Sequence, residues 1–262
     1  MRRYWIEKSQ IQEHSVNELI VHFKDEQFHH IFDVCRQEVG HHFEVITEDS
    51  VAYLVEVLTV LKKTATAKVV EIRQIQKLPK PHIHIALSIC RYPVMDSVME
   101  RAVEMGVTSI LPFVSDYSFI RKEKELPLGK VERWKKIVIS ATQQCGRGEL
   151  MTIHDTVTMN KMLEIINPNS QNWCLFAYEG NNLKSIETLL TERQKQLEAA
   201  AEKNVENVWL IVGSEGGFSE KEVTSMQKLG LDPVTLGAQI LRVETACLTL
   251  VAVLKYVFGL MK

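Results

Sequence analysis

The chain has 262 residues, 45% hydrophobic and 24% charged, with 31 basic and 33 acidic side chains and a formal net charge of −2. That length fits one large domain or two smaller ones, and the composition is that of a folded protein and not a disordered or collagenous one. The near-neutral balance excludes a protein coated in basic residues, so a nucleic-acid partner would have to be held by local patches, while five dispersed cysteines with no C-x-x-C pair favour a reducing compartment over a disulfide framework.

Residues 1–13 are charged and lack an apolar core segment, so no signal peptide is read there and a cytoplasmic location is expected. Residues 26–39 read as a short helix ending at Gly40. Residues 43–47, 52–57 and 68–73 are rich in β-branched side chains, partly alternate and are separated by polar turns, which predicts a small β-barrel. Pro79 and Pro81 then break the pattern, and a boundary there divides the chain into domains over 1–76 and 80–262.

Beyond the boundary, apolar runs alternate with helical stretches. Strands are predicted at 82–88, 110–114, 173–177 and 208–212, with helices at 94–105, ended by Gly106, and from 130 to about 145. This βαβα rhythm implies an α/β fold with a parallel sheet. Residues 181–204 include a charged, alanine-bearing stretch that reads as a solvated helix. The final apolar stretch, 246–261, is broken by Lys255 and too short for a membrane span, so it reads as a buried helix.

Two short segments in the last fifth carry the chemistry. Gly213, Ser214, Glu215, Gly216, Gly217 and Phe218 follow the apolar run 208–212 and lead into Ser219 and Glu222, a capping box that starts a helix. Strand, glycines and capped helix are how α/β proteins bring bare backbone up to a small ligand. Residues 236–246 repeat the idea: Gly237, the apolar Ile240 and Leu241, then Arg242, Glu244 and Thr245 opening the final helix. Together they suggest one pocket at the end of a sheet. The first loop is not a G-x-x-x-x-G-K-[ST] phosphate loop, because no lysine follows its glycines. Its spacing is not G-x-G-x-x-G, and Glu215 stands where a G-x-S-x-G elbow needs serine. A glycine turn that merely joins strand to helix is the plainer alternative, weakened by the second loop.

These two segments resemble the signature of the small-subunit ribosomal RNA uridine-N3 methyltransferases, a family in the knotted SPOUT class of S-adenosylmethionine enzymes. Further matches lie at 101–107 with Ile110 and Pro112, and at Arg133, Trp134, Ile137, Ala141 and 144–147. Residues 1–5 and 30–40 fit the family's N-terminal domain, so the resemblance spans nearly the whole chain. Ser214 stands where the family usually has proline, Arg101 where it usually has lysine, and Gln143 and Cys145 where Glu and Ser are common. The resemblance implies an α/β trefoil-knot domain behind a PUA-like RNA-binding barrel, a homodimer whose sites are completed by the partner chain, S-adenosyl-L-methionine as methyl donor, and the RNA of the small (30S) ribosomal subunit as substrate. The knot is implied by the resemblance alone.

For the cofactor, the resemblance points to three loops: the strand end 176–180, with Phe176, Ala177 and Glu179; Gly213, Glu215 and Gly216; and Leu236, Gly237, Ile240, Leu241 and Thr245. An adenine needs hydrogen bonds to its edge and apolar contact on its faces, which backbone and side chains of the third loop can supply. Arg242 is the expected catalytic residue, since a guanidinium stabilises the charge that spreads over O2 and O4 as the uridine N3 proton leaves. Its bland alternative is a structural ion pair with Glu215 or Glu244. Glu215 is the weaker candidate, as proton acceptor, and needs a raised pKa for that role.

RNA contacts need positive charge, and residues 117–136 hold seven basic side chains against three acidic ones, interleaved with Tyr117, Phe119 and Trp134. The candidates are Arg2, Arg3, Arg91, Arg101, Arg121, Lys122, Arg133 and Arg147, although a charge run is often only a solvated face. The pairs His29-His30, His41-His42 and His82 with His84 match no zinc spacing, and no metal is expected; His82 and His84 lie on one side of a predicted strand, at its edge, and all of these histidines are read as structural or RNA-facing. Methylation of another ribosomal or transfer RNA position, and a non-catalytic RNA-binding assembly factor, are the alternatives. A nucleotide-dependent oxidoreductase is more distant.

Overall fold

The computed structural model describes residues 2–15, 18–180, 184–199 and 205–261. By contacts it divides into two compact units, Met1–Lys77 with Ile139–Leu150, and Leu78–Val138 with Met151–Lys262.

The first unit contains strands β1 (Arg3–Trp5), β2 (Ile11–Ser15), β3 (Glu18–Lys24), β4 (His42–Ile46), β5 (Val51–Val60) and β6 (Thr64–Gln74). They form one sheet in the order β1-β4-β5-β6-β3-β2. A helical turn, α1 (Asp25–Phe28), runs into a wider i→i+5 turn at His29–Val34. These elements close over an aromatic core: Phe23, Phe28, Phe32 and Phe43 are buried together, with Tyr4 edge-on to Phe43 at 5.0 Å. Glu44 is buried on β4 at 5% exposure. Arg3 Nε reaches one of its carboxylate oxygens at 2.8 Å and Arg73 the other at 2.7 Å. Burial alone would push that carboxyl up, but the two guanidiniums outweigh it and hold the pKa below the usual range. From the segment 139–150, Gly148 packs directly against Ile75 and Ser50.

The second unit is built on an all-parallel sheet in the order β10-β8-β7-β13-β11-β14-β12, with β9 also on β8. Its strands are β7 (His82–Ser88), β8 (Ser109–Val114), β9 (Thr152–Ile153), β10 (Val157–Thr158), β11 (Asn172–Ala177), β12 (Lys184–Ser185), β13 (Asn207–Val212) and β14 (Asp232–Thr235). The helices are α2 (Tyr92–Glu104), α3 (Leu128–Cys145), α4 (Met159–Ile166), α5 (Ile186–Ala199), α6 (Glu220–Lys228) and α7 (Val243–Val257); α3 starts in this unit and ends in the first. β13 is a continuous run of buried side chains, Val208 through Val212, as a strand covered on both faces requires. α7 packs on α2 and β13. Of the solvated helix expected over 181–204, α5 is observed, and 181–183 and 200–204 lie outside the described residues. No helix of the described residues is long and apolar enough to cross a membrane.

Pro112 sits inside β8 without breaking it. The carbonyls of Thr108 and Ile110 point to the outer side, where they accept from Thr152 N and His154 N. The missing N–H of Pro112 faces that same side. It falls in the gap between β9, which pairs at Ser109 and Ile110, and β10, which pairs at Phe113 and Val114.

β7 lies in the middle of the sheet, between β8 and β13, and begins at His82. The imidazole of His84 stacks on Trp209 at 4.5 Å. Its Nε2 donates to Asn207 Oδ1 at 3.1 Å, and Asn207 Nδ2 donates in turn to Asn172 Oδ1. Its Nδ1 meets Ser109 Oγ at 2.7 Å. The neutral ring is therefore satisfied at both nitrogens, and burial, with His82 and His154 nearby, pushes its pKa down to about 4. The folded pKa lies below the unfolded value of 6.5, so the contribution to stability is intact above pH 6.5 and is lost as pH falls from there toward 4. Urea unfolding at pH 7.5 and 4.5 is expected to show a drop for the wild type that exceeds that of His84→Asn by about 2–3 kcal/mol. Equal drops would mean that His84 titrates freely.

Candidate active site

Strands β13, β11 and β14 are neighbours, and each ends at the same edge of the sheet. The loops leaving their carboxyl ends converge on one cleft of about 500 Å³, where open parallel sheets bind small ligands. From β11 come Ala177, Tyr178, Glu179 and Gly180. Residues 212–214 and 216–218 follow from β13, and residues 234–241 from β14, while Val243 and Ala246 of α7 complete the wall.

The turn after β13 is tight. Gly217 N donates to Ser214 O at 2.9 Å, and a Cβ on Gly213 would lie 2.9 Å from the carbonyl carbon and oxygen of Gly217. Only glycine lets the strand end approach its own turn this closely. The predicted capping box is present: Ser219 N donates to Glu222 Oε2 at 2.9 Å and Glu222 N to Ser219 Oγ at 3.4 Å. Ser214 is buried, and its hydroxyl donates to the carbonyl of Tyr117 at 2.6 Å.

Of the candidate cofactor residues, Ala177, Glu179, Gly213, Gly216, Leu236, Gly237, Ile240 and Leu241 line this one cleft. Phe176 does not, because it is the last inward residue of β11 and its ring is fully buried against Phe218. Thr245 is exposed on the first turn of α7 and does not line the cleft. Glu215 also stays out of the lining and accepts from Arg91 Nε at 2.9 Å and from Arg91 N at 3.3 Å. Burial raises its pKa, but the Arg91 guanidinium and backbone N–H groups prevail and hold it below the usual carboxylate range. That direction is opposite to what a proton acceptor near neutral pH needs.

Arg242 is the N-cap of α7, between the lining residues Leu241 and Val243, and its side chain is exposed. Among the described residues it makes no ion pair. Glu215, one of its two expected partners, is taken by Arg91 instead. Cys90 and Cys247 are buried, and burial pushes both thiols up, so neither offers a thiolate.

The expected RNA contacts divide. Arg2, Arg91, Arg101, Arg121, Lys122 and Arg133 are exposed. Arg3 is committed to the buried Glu44, and Arg147 is half-buried, with its pKa lowered by desolvation. Trp134 is wholly buried and its indole N–H donates to Asp96 Oδ1 at 3.1 Å, which removes it from any stacking surface. Asp96 Oδ2 also accepts from Arg133 at 2.7 Å. Among the described residues no group of three or more His, Cys, Asp or Glu side chains could hold a metal ion.

Sequence reading missed Val234 and Thr235 in the cleft wall. β14 is four residues long and contains Pro233, so it carries too little pattern to be seen.

Two family descriptions match the chain: an RNA methyltransferase domain over residues 76–255 and an RNA methyltransferase PUA domain over residues 23–70. The ribosomal RNA small subunit methyltransferase E of Aquifex aeolicus (strain VF5) is 32% identical over 226 residues, covering 85% of this chain and 89% of that protein. The protein of the same name from Bacillus subtilis (strain 168) is 25% identical over 258 residues, 98% and 96% of the two chains. Among solved structures, a ribosomal RNA small subunit methyltransferase E from Neisseria gonorrhoeae bound to S-adenosyl methionine is similar at a TM-score of 0.78 and 25% identity, covering 98% of this chain and 97% of that one.

Proposed function

The chain belongs to the RNA methyltransferase family, and from that premise we propose that it transfers a methyl group from S-adenosyl-L-methionine to N3 of a uridine in small-subunit ribosomal RNA. The observation that carries this reading is the convergence of three adjacent strand-end loops on one cleft with Arg242, free of any ion pair among the described residues, next to its wall. The cleft suits a nucleoside-sized donor. Gly213 and Gly216 leave backbone bare on one side, Leu236, Ile240 and Leu241 offer apolar contact for a base, and Glu179 offers a carboxylate to a cationic group.

When bound, the donor supplies a methyl group on a sulfonium, which leaves as a neutral thioether and needs neither acid nor metal. Everything else falls to the protein. As the uridine N3 proton is lost, charge spreads onto O2 and O4, and the Arg242 guanidinium stabilises it. With Glu215 ion-paired and its pKa held low, we assign the proton to water rather than to this carboxylate.

The first unit holds the RNA in this reading. Its sheet joins strands at opposite edges, β1 and β2, through only residues 6–10, which supports closure into a barrel. The second unit carries the trefoil knot of the SPOUT class. Exposed Tyr256 and Val257 at the end of α7 support a homodimer. The working unit is then a soluble cytoplasmic dimer acting on 30S particles.

The test uses small subunits from a strain lacking the methylation, incubated with the protein and labelled S-adenosylmethionine, followed by nucleoside mass spectrometry of the RNA. Labelled 3-methyluridine is expected. Label in another nucleoside would move the target atom, and no label despite donor binding would point to another RNA.

A further inference from the structure

We propose that Tyr117 is the platform on which an RNA base stacks at the lip of the cleft, with Phe119 beside it holding a neighbouring base. The proposal rests on the RNA-methyltransferase reading above and assigns that site a positioning surface.

Residues 115–121 leave β8 and are tied down from beneath at nearly every step. Ser115 N donates to Ser118 Oγ at 2.7 Å, and both hydroxyls meet Ser88 Oγ, at 2.7 and 2.8 Å, in a wholly buried cluster. Asp116 N donates to Glu222 Oε1 at 2.8 Å, and Asp116 Oδ2 accepts from Ser219 Oγ at 2.6 Å. The carbonyl of Tyr117 accepts from Ser214, and Phe119 N donates to Ile89 O at 2.7 Å. The loop is therefore fixed to the same turn that forms the cleft.

Against this rigid backbone the two rings face out. Tyr117 is 50% exposed and Phe119 52%. Phe119 meets Tyr92 edge-on at 5.3 Å, and the Lys130 ammonium lies over the Tyr92 ring at 4.5 Å. Tyr117 adjoins the cleft itself, because a Cβ on the lining residue Gly216 would come within 2.9 Å of Tyr117 Cβ. Exposed Arg121 and Lys122 follow the rings in the chain, and exposed Arg91, paired with Glu215, adjoins Tyr92. Fixed aromatic faces among basic side chains are what a single RNA strand needs: charges for its phosphates and ring faces for its bases. The charge selects RNA over an apolar protein partner. Ser214 gains a purpose here, since its hydroxyl sets the height of Tyr117.

The experiment measures small-subunit RNA affinity, its salt dependence, donor affinity and steady-state kinetics for the wild type and for Tyr117→Ala, Tyr117→Trp, Tyr117→Leu and Phe119→Ala. Tyr117→Ala is expected to weaken RNA binding and raise KM for RNA by about tenfold or more. Donor affinity and the slope of RNA affinity against salt should stay unchanged, since no phosphate contact is lost. Tyr117→Trp should restore binding and Tyr117→Leu should not. Unaltered RNA affinity in Tyr117→Ala and Phe119→Ala would overturn the proposal and leave the rings to a protein partner, as would full rescue by leucine. A wild type that binds RNA without methylating it would sink the methyl-transfer reading alone; the platform would then still stand on the binding data.

Discussion

Replacing Arg242 with alanine is expected to lower the turnover of methyl transfer by about 100- to 1000-fold, the range for losing one fixed donor aimed at developing charge. Donor affinity should change little, because Arg242 is not among the residues lining the cleft. Nor should the variant unfold, since the side chain is exposed and makes no ion pair among the described residues. This separates the catalytic role from a bracing one, which would show first in thermal stability. Arg242→Lys should recover only part of the rate, because an ammonium keeps the charge but not the planar fork that can span two oxygens. Single-turnover rates at saturating RNA decide the matter. A Tyr117-like pattern, with KM raised and turnover kept, would recast Arg242 as an RNA contact.

The second large effect is expected at Gly213. The atoms that a Cβ would strike, at 2.9 Å, are the backbone carbonyl of Gly217, which has no flexible end to move aside. Gly213→Ala must therefore open the turn that carries Ser214 and Gly216, and donor affinity should fall by about 10- to 100-fold, with about 1–3 kcal/mol of overpacking strain. Isothermal titration with S-adenosylmethionine, alongside thermal unfolding, measures both. Gly129→Ala is the matched control, since nothing lies within 4 Å of the added methyl. Tight donor binding by Gly213→Ala would show that the turn is not part of the donor site.

Much of this was legible because the signals were local. The buried run 208–212, the glycine turn and the Ser219–Glu222 box each declare themselves within a few residues, and each was found in place. Helix α2 was read two residues short at its start, Pro93 lying in its first turn. What escaped reading was set by distant partners. Nothing near Glu44 in sequence announces a buried carboxylate, because Arg3 and Arg73 come to it from other strands. The pairing of Arg91 with Glu215 spans 124 positions, and it diverts the acidic residue from the role that its place in the motif suggested. Trp134 lies among lysines and looked exposed, yet helix α3 turns it inward to Asp96. The hairpin β2–β3 carries a period-two pattern at Leu19, Val21 and Phe23 that was passed over.

The assignment of Ile139–Leu150 to the first unit bears on how the molecule can be taken apart. A single cut near residue 77 does not release the amino-terminal fold, because the piece set free lacks the segment whose Gly148 lies on Ile75 and Ser50. Proteolysis at that linker would leave a nicked but associated protein, and the amino-terminal fragment made alone would carry a bare apolar patch.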